Sequence, residues 1–141
     1  MEDAIETITR GNVSEVKIVL ASVIAVLAVY QVTLMAVGYG KLRLSFLAPG
    51  PASSAHRAIG DAIVVLTVVV ATLCIAYFGF SEDDASAHIV VALALLAVLA
   101  LKVVVVRWWH ALGGLLPALG ISVFVLFWAT WATAAAEYVI G

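Results

Sequence analysis

The chain has 141 residues, 65% of them apolar, with 7 basic and 9 acidic residues and a formal net charge of −2. A soluble domain of this size carries about 25% charged and about 45–50% apolar residues, so the composition excludes a water-soluble globule and a disordered tail. It also excludes a nucleic-acid binder, because no basic surface is left to meet phosphates. A single cysteine, Cys74, inside an apolar run excludes a disulfide framework and a cysteine-ligated metal.

A hydrocarbon core about 30 Å thick is crossed by about 20 helical residues. Four apolar stretches reach that length, near 18–38, 58–80, 87–106 and 111–138. The first closes in Gly38-Tyr39-Gly40 and a Pro49-Gly50-Pro51 loop. The second closes in Gly79 and an acidic Ser81-Glu82-Asp83-Asp84 turn, and Arg107-Trp108-Trp109 closes the third. These unbroken runs lack the alternation of barrel strands, and a bilayer admits only helices or closed barrels. The expectation is an all-α, integral membrane four-helix antiparallel bundle over 17–141, with both termini on the same, outer side. Residues 1–16 are polar and acidic, and read as an interfacial segment rather than a signal peptide. Asn12 or Ser14 is the expected cap of the first span, without a capping box, because Lys17 rather than Glu follows Ser14 three residues on.

Charge sorts by side. Lys41, Arg43 and Arg57 lie between spans one and two, and Lys102 and Arg107 end span three. The other side carries Glu2, Asp3, Glu6, Glu15, Glu82, Asp83, Asp84 and Glu137 against Arg10 and Lys17. The positive-inside rule then makes the first and third loops cytoplasmic, in the plasma membrane of a prokaryote. Trp108, Trp109, Tyr39 and Tyr138 fall where interfacial aromatic belts are expected.

In so apolar a chain the ionisable residues near the spans carry the information. His56 and His110 open spans two and four, which run parallel in such a bundle and so place both imidazoles at one membrane level. His56-Arg57-Ala58-Ile59-Gly60 and His110-Ala111-Leu112-Gly113-Gly114 each place a glycine four residues after the histidine. Residues four apart share a helix face, so Gly60, Gly113 and Gly114 are expected to leave room for a flat ligand. Two imidazoles converging from facing helices beside small residues hold a haem iron. Arg57, Lys41, Arg43 and Arg107 lie on the same side, where propionates need cations.

The bland readings stand beside these. A histidine at a span end is often interfacial. His88 opens span three on the acidic side, about 30 Å from the other two, where it is interfacial, capping, or a second site for a quinone or proton. Asp61 pairs with Arg57 one turn earlier, or orients His56 or handles a proton as part of a second site. Lys102 snorkels. Gln31, Thr33, Thr67, Thr72, Thr130 and Thr133 make interhelical hydrogen bonds, and Ala132, Ala134, Ala135 and Ala136 form a packing face or a homo-oligomer seam. Pro117 and Gly120 are expected to kink span four.

His56-Arg57 with Gly60 at the start of a span resembles the transmembrane cytochrome b core shared by ferric reductases and NADPH oxidases. In that family a helix beginning His-Arg or His-Lys carries one haem ligand and a helix parallel to it carries the other. The resemblance covers spans two to four and rests on two short motifs and topology. The family has a second histidine about four turns further along each ligating helix; here Val68–Leu73 and Val123–Ala129 contain none. The resemblance therefore implies one haem near the basic side, and no nicotinamide or flavin domain accompanies it. Gln31, Gly38-Tyr39-Gly40 and His56 to Gly60, with Lys102 to Arg107, also resemble a small uncharacterised actinobacterial four-helix family.

The expected function is a small b-type membrane cytochrome holding one haem b between His56 and His110. It would move single electrons between a membrane quinol and a redox partner protein, or serve as the haem subunit of a reductase rather than as a stand-alone enzyme. The competing reading is a non-redox structural or transport subunit with interfacial histidines.

Overall fold

The computed structural model describes residue 7 and residues 10–43, 49–78 and 86–140. The acidic turn of Glu82, Asp83 and Asp84, residues 1–6, 8 and 9 of the N-terminal segment, and the side chains of Glu137 and Tyr138 lie outside the described residues. Among the described residues four long α-helices follow one another: α1 Val13–Gly38, α2 Pro49–Phe78, α3 Ser86–Arg107 and α4 Leu116–Ile140, the last preceded by a 3-10 segment, His110–Leu115. Four helical stretches are long and apolar enough to cross a membrane: Val13–Gly38, Gly50–Tyr77, Ala87–Arg107 and His110–Ala136. No strand occurs among the described residues.

Cross-helix hydrogen bonds define the order up-down-up-down. Gln31 late in α1 meets His56 early in α2, and Asp61 early in α2 meets Arg107 late in α3. His88 early in α3 meets Thr133 late in α4, and Trp131 late in α4 donates to Ser22 early in α1. The fold is therefore the expected antiparallel bundle.

One core cluster draws on all four helices: Ile24 and Ala28 of α1, Ile63 of α2, Leu95 and Leu99 of α3, Val123 and Phe127 of α4. Outward-facing positions stay apolar, with Val26, Val65, Val90 and Ile121 each more than 60% exposed. That surface suits lipid chains rather than water, and the protein is an integral membrane protein. Lipid gives apolar side chains no reason to desert it, so close packing of small residues holds the helices together. Buried Ala25 and Ala28 supply such contacts on α1, and buried Ala134 does so on α4, whereas Ala132 and Ala136 are exposed.

Helix α1 begins at Val13, five residues before the expected span, and two further differences from the sequence reading matter for the site. Helix α2 begins at Pro49, so the expected Pro49-Gly50-Pro51 loop is its first turn. A helix leaves its first N–H groups unpaired anyway, so prolines are tolerated there. Ala52, fully buried against Leu34 and Val37, fixes this turn on α1. His56 thus lies about 10 Å inside α2 at 1.5 Å per residue, rather than at its mouth. Span four, by contrast, starts with the 3-10 segment, where Leu112 has φ −92° and ψ 15°. Gly113 and Gly114 weaken helical order there, and Pro117, which lacks an N–H, starts the regular α4 after the break instead of kinking its middle. At the end of α1, Gly40 takes φ +68°, a left-handed turn that lets the Lys41 N–H return to the Ala36 carbonyl. Asn12 precedes α1 without a side-chain cap bond.

The helices pack as two hairpins. Helix α2 lies closely along α1, and α3 along α4; α1 and α4 join the hairpins, while the backbones of α2 and α3 scarcely approach each other.

Candidate functional site: a polar-ended cleft at the basic half of the bundle

The slack α2/α3 seam leaves a cavity of about 630 Å³. Its walls come from the late part of α1 and α3 and the early part of α2 and α4, so it occupies the half of the bundle next to Lys41, Arg43 and Arg107. Ile63, Val64, Leu99, Val123, Phe124 and Phe127 make most of the lining apolar. Gln31, His56, Arg57, Asp61, Lys102 and Arg107 supply its polar groups.

Gln31 and His56 form a reciprocal pair. The Gln31 side-chain amide Nε2–H donates to the His56 carbonyl at 2.7 Å, and His56 Nδ1 lies 3.3 Å from the Gln31 carbonyl. A carbonyl only accepts, so this second contact places the imidazole proton on Nδ1 and leaves Nε2 of the neutral ring as an acceptor. Gln31 Oε1 is buried and, among the described residues, has no hydrogen-bond partner. An orphaned amide oxygen in an apolar setting costs about 1–3 kcal/mol. Both residues line the cleft, whose polar end therefore holds two acceptors, one of them without a donor among the described residues.

Gly60 lines the same cavity, but the space left by its missing side chain is not empty. A Cβ there would stand 3.2 Å from Gln31 Nε2. The glycine admits the glutamine amide from α1 rather than the edge of a flat ligand. Gly113 and Gly114 have open space around them and do not line the cavity.

Asp61 does not pair with Arg57, as the i,i+4 spacing suggested, but bridges to α3, where Arg107 Nη2 donates to Asp61 Oδ1 at 3.0 Å. The pair spans the slack seam with its side chains 68% and 57% exposed. So exposed a pair contributes about 0–1 kcal/mol. Asp61→Asn is accordingly expected to lower thermal stability in detergent by no more than that amount, read from the midpoint of a melting curve.

The remaining candidates separate. His110 is exposed at the start of the 3-10 segment and lies outside the cavity lining, so the structure does not bring it together with His56 there. The physical reason is the break before Pro117, which denies span four the deep, regular first turns that α2 has. Arg57 and Arg107 border the cavity, whereas Lys41 and Arg43 are exposed in the turn after α1. His88 sits at the opposite end, its Nδ1 2.8 Å from Thr133 Oγ1. The single proton of the Thr133 hydroxyl is shared between the carbonyls of Ala129 and Thr130, so the oxygen is left to accept from the histidine.

Thr33, Thr67, Thr72 and Thr130, expected to bond between helices, instead donate to the carbonyl four residues back in their own helix. Gln31 and His56 each direct a side-chain hydrogen bond to the other's backbone carbonyl, across α1 and α2. Tyr39, Trp108 and Trp109 are exposed at the basic end, in keeping with an interfacial belt. Two cavity residues carry more than the sequence reading assigns them. Gln31 is the chain's only glutamine, a signal that it is no interchangeable span residue, and Lys102 lies five residues inside its helix end.

Fold and cleft together define a four-helix integral membrane protein with a laterally placed, polar-ended cavity. A protein-family model described as "Family of unknown function (DUF6529)" matches residues 2–140, and the chain belongs to that family. No curated protein and no solved structure matches it.

Proposed function

We propose that this protein is a small membrane electron-transfer subunit whose cleft binds the head group of a quinol. The observation that carries the reading is the buried Gln31 Oε1, without a hydrogen-bond partner among the described residues, beside His56 in a mostly apolar cavity. A quinol offers what the site lacks: an O–H donor on an apolar, flat body delivered from the bilayer. Its hydroxyl donates to Gln31 Oε1 or to His56 Nε2, and Phe124 and Phe127 flank the ring. The pairing of Nδ1 with a carbonyl keeps Nε2 free to take the quinol proton, while the electrons pass to a redox partner protein. By the charge rule the basic end faces the cytoplasm of a prokaryotic cell.

The test is equilibrium titration of the detergent-purified protein with a short-chain naphthoquinol. Saturable binding is expected, weakened about tenfold or more by Gln31→Leu, which removes the acceptor at nearly constant volume. That substitution also removes the orphaned oxygen, so the melting temperature should scarcely change. Unsaturable partition that ignores Gln31 would overturn the reading, and would favour a non-redox structural or transport subunit.

A second reading is favoured by the same Nδ1 bond. A histidine that ligates a metal through Nε2 commonly donates its other N–H to a carbonyl, which fixes the ring. One haem b on His56, with Arg57 and Arg107 near its propionates, fits that donor set. It lacks the second histidine in the cavity, and the room beside Gly60 is taken by Gln31. Colour separates the two readings. A Soret band that shifts on dithionite reduction establishes the haem, whereas a colourless preparation that binds quinol establishes the first reading.

A further inference from the structure

Lys102 is the feature that quinol binding through Gln31 and His56 leaves unused. It lies on α3, on the wall of the cavity, and it is partly buried. No hydrogen bond or ion pair holds its ammonium among the described residues: the one acid bordering the cavity, Asp61, is engaged by Arg107. Lys102 lines the same cavity as His56. A cation inside a membrane span ordinarily pairs, faces water or serves a ligand. Helix α3 ends in a different residue, Arg107, which already occupies the interfacial position and reaches across to α2.

We propose that Lys102 is the counter-ion for an anionic oxygen on the ligand, so that the cleft selects acidic amphiphiles: an ionised hydroxyl or enol on an apolar, membrane-soluble body. The proposal rests on the quinol reading and narrows its substrate class. Within the site, the O–H bond of the bound quinol breaks, the proton goes to His56 Nε2, and the electron pair stays on oxygen as an oxyanion opposite the Lys102 ammonium. No oxidant enters this step. It turns a neutral quinol into its monoanion, the form that gives up an electron more readily. Arg57 and the Arg107–Asp61 pair border the same cavity and complete its charged groups. Lys102 differs from Arg107 in being unpaired, and from Arg57 in being less exposed.

The experiment compares two ligands of nearly equal shape: an alkyl hydroxynaphthoquinone, ionised at neutral pH, and its methyl ether, which is neutral. Purified wild-type protein is expected to bind the ionised compound at least about tenfold more tightly, the factor that corresponds to 1.4 kcal/mol. Lys102→Met should bring the ratio of the two affinities to about one, and Lys102→Arg should restore most of it, since both cations attract an oxyanion. Equal affinities in the wild type would overturn the anion site while leaving the quinol reading standing, and would return Lys102 to snorkelling toward water. Failure of both naphthoquinones to bind would overturn the anion site and leave the quinol reading to the naphthoquinol titration, unless laurate binds and depends on Lys102. That last result keeps the anion site and makes a fatty acid its occupant. Should the methionine variant fail to fold, the wild-type ratio and the arginine variant still decide.

Discussion

Replacing Gly60 by leucine is expected to push α1 and α2 apart and to abolish ligand binding in the cleft. A Cβ at this position would already lie 3.2 Å from Gln31 Nε2, closer than ordinary van der Waals contact. Three further carbons press on the preceding turn, which carries His56, or fill the cavity that Gly60 lines. Overpacking of this kind costs about 1–3 kcal/mol. The gain from replacing a helical glycine, about 0.8–1.0 kcal/mol, does not offset the upper part of that range. The Gln31–His56 pair breaks, and its two acceptors no longer face one ligand. Gly60→Ala separates the effects. A single Cβ needs the flexible glutamine amide to yield by only a few tenths of an ångström, and the better helix propensity compensates, so the melting temperature should hold while quinol affinity falls. A Gly60→Leu protein with wild-type melting temperature and affinity would show that the close approach of α1 and α2 is not what shapes the site.

The histidines provide the second large contrast. His56→Ala removes the imidazole acceptor from the cavity and is expected to weaken quinol binding by tenfold or more, about 1.4 kcal/mol. The stability cost is smaller, about 1 kcal/mol, because the backbone carbonyl that receives the Gln31 amide remains. His110→Ala alters an exposed side chain outside the cavity lining, and affinity should stay within about twofold of wild type, less than the 1.4 kcal/mol of a tenfold change. His88→Ala, at the far end of the bundle, should behave like His110→Ala toward the ligand while losing the tie to Thr133. Titration of the three variants side by side reads this directly. If His110→Ala lost binding as fully as His56→Ala, the two imidazoles would have to act on one group, as the bis-histidine expectation required. The same series applied to a coloured preparation would show haem loss with His56→Ala and retention with the other two.

The structure alters the weight of particular residues more than the outline of the fold. Four spans and their antiparallel order were legible because each helix must present about 20 apolar residues to the hydrocarbon, and hydropathy along the chain records that requirement. Helix starts were less legible. The Pro-Gly-Pro stretch reads as a loop by local propensity, yet it forms the first turn of α2, because Ala52 packs into α1 and the first N–H groups of a helix need no partners. The matched His-x-x-x-Gly patterns suggested equivalent sites. One lies deep in a regular helix, and the other opens a 3-10 segment broken by Leu112. Equal spacing in sequence does not secure equal depth when the helices start differently.

The sequence by itself determined that the protein lives in a bilayer, the four membrane-crossing helices found among the described residues, and which end is basic. Each of these depends on a sum over many side chains and tolerates local error. Only the tertiary structure decided that Asp61 answers Arg107 rather than Arg57, that Gly60 makes room for Gln31, and that Lys102 shares a cavity with His56 while His110 does not. Those relations join residues from different helices. They depend on how α2 rotates against α1 and how far α2 stands from α3, quantities set by the close packing of a few small side chains rather than by the hydropathy of any one span.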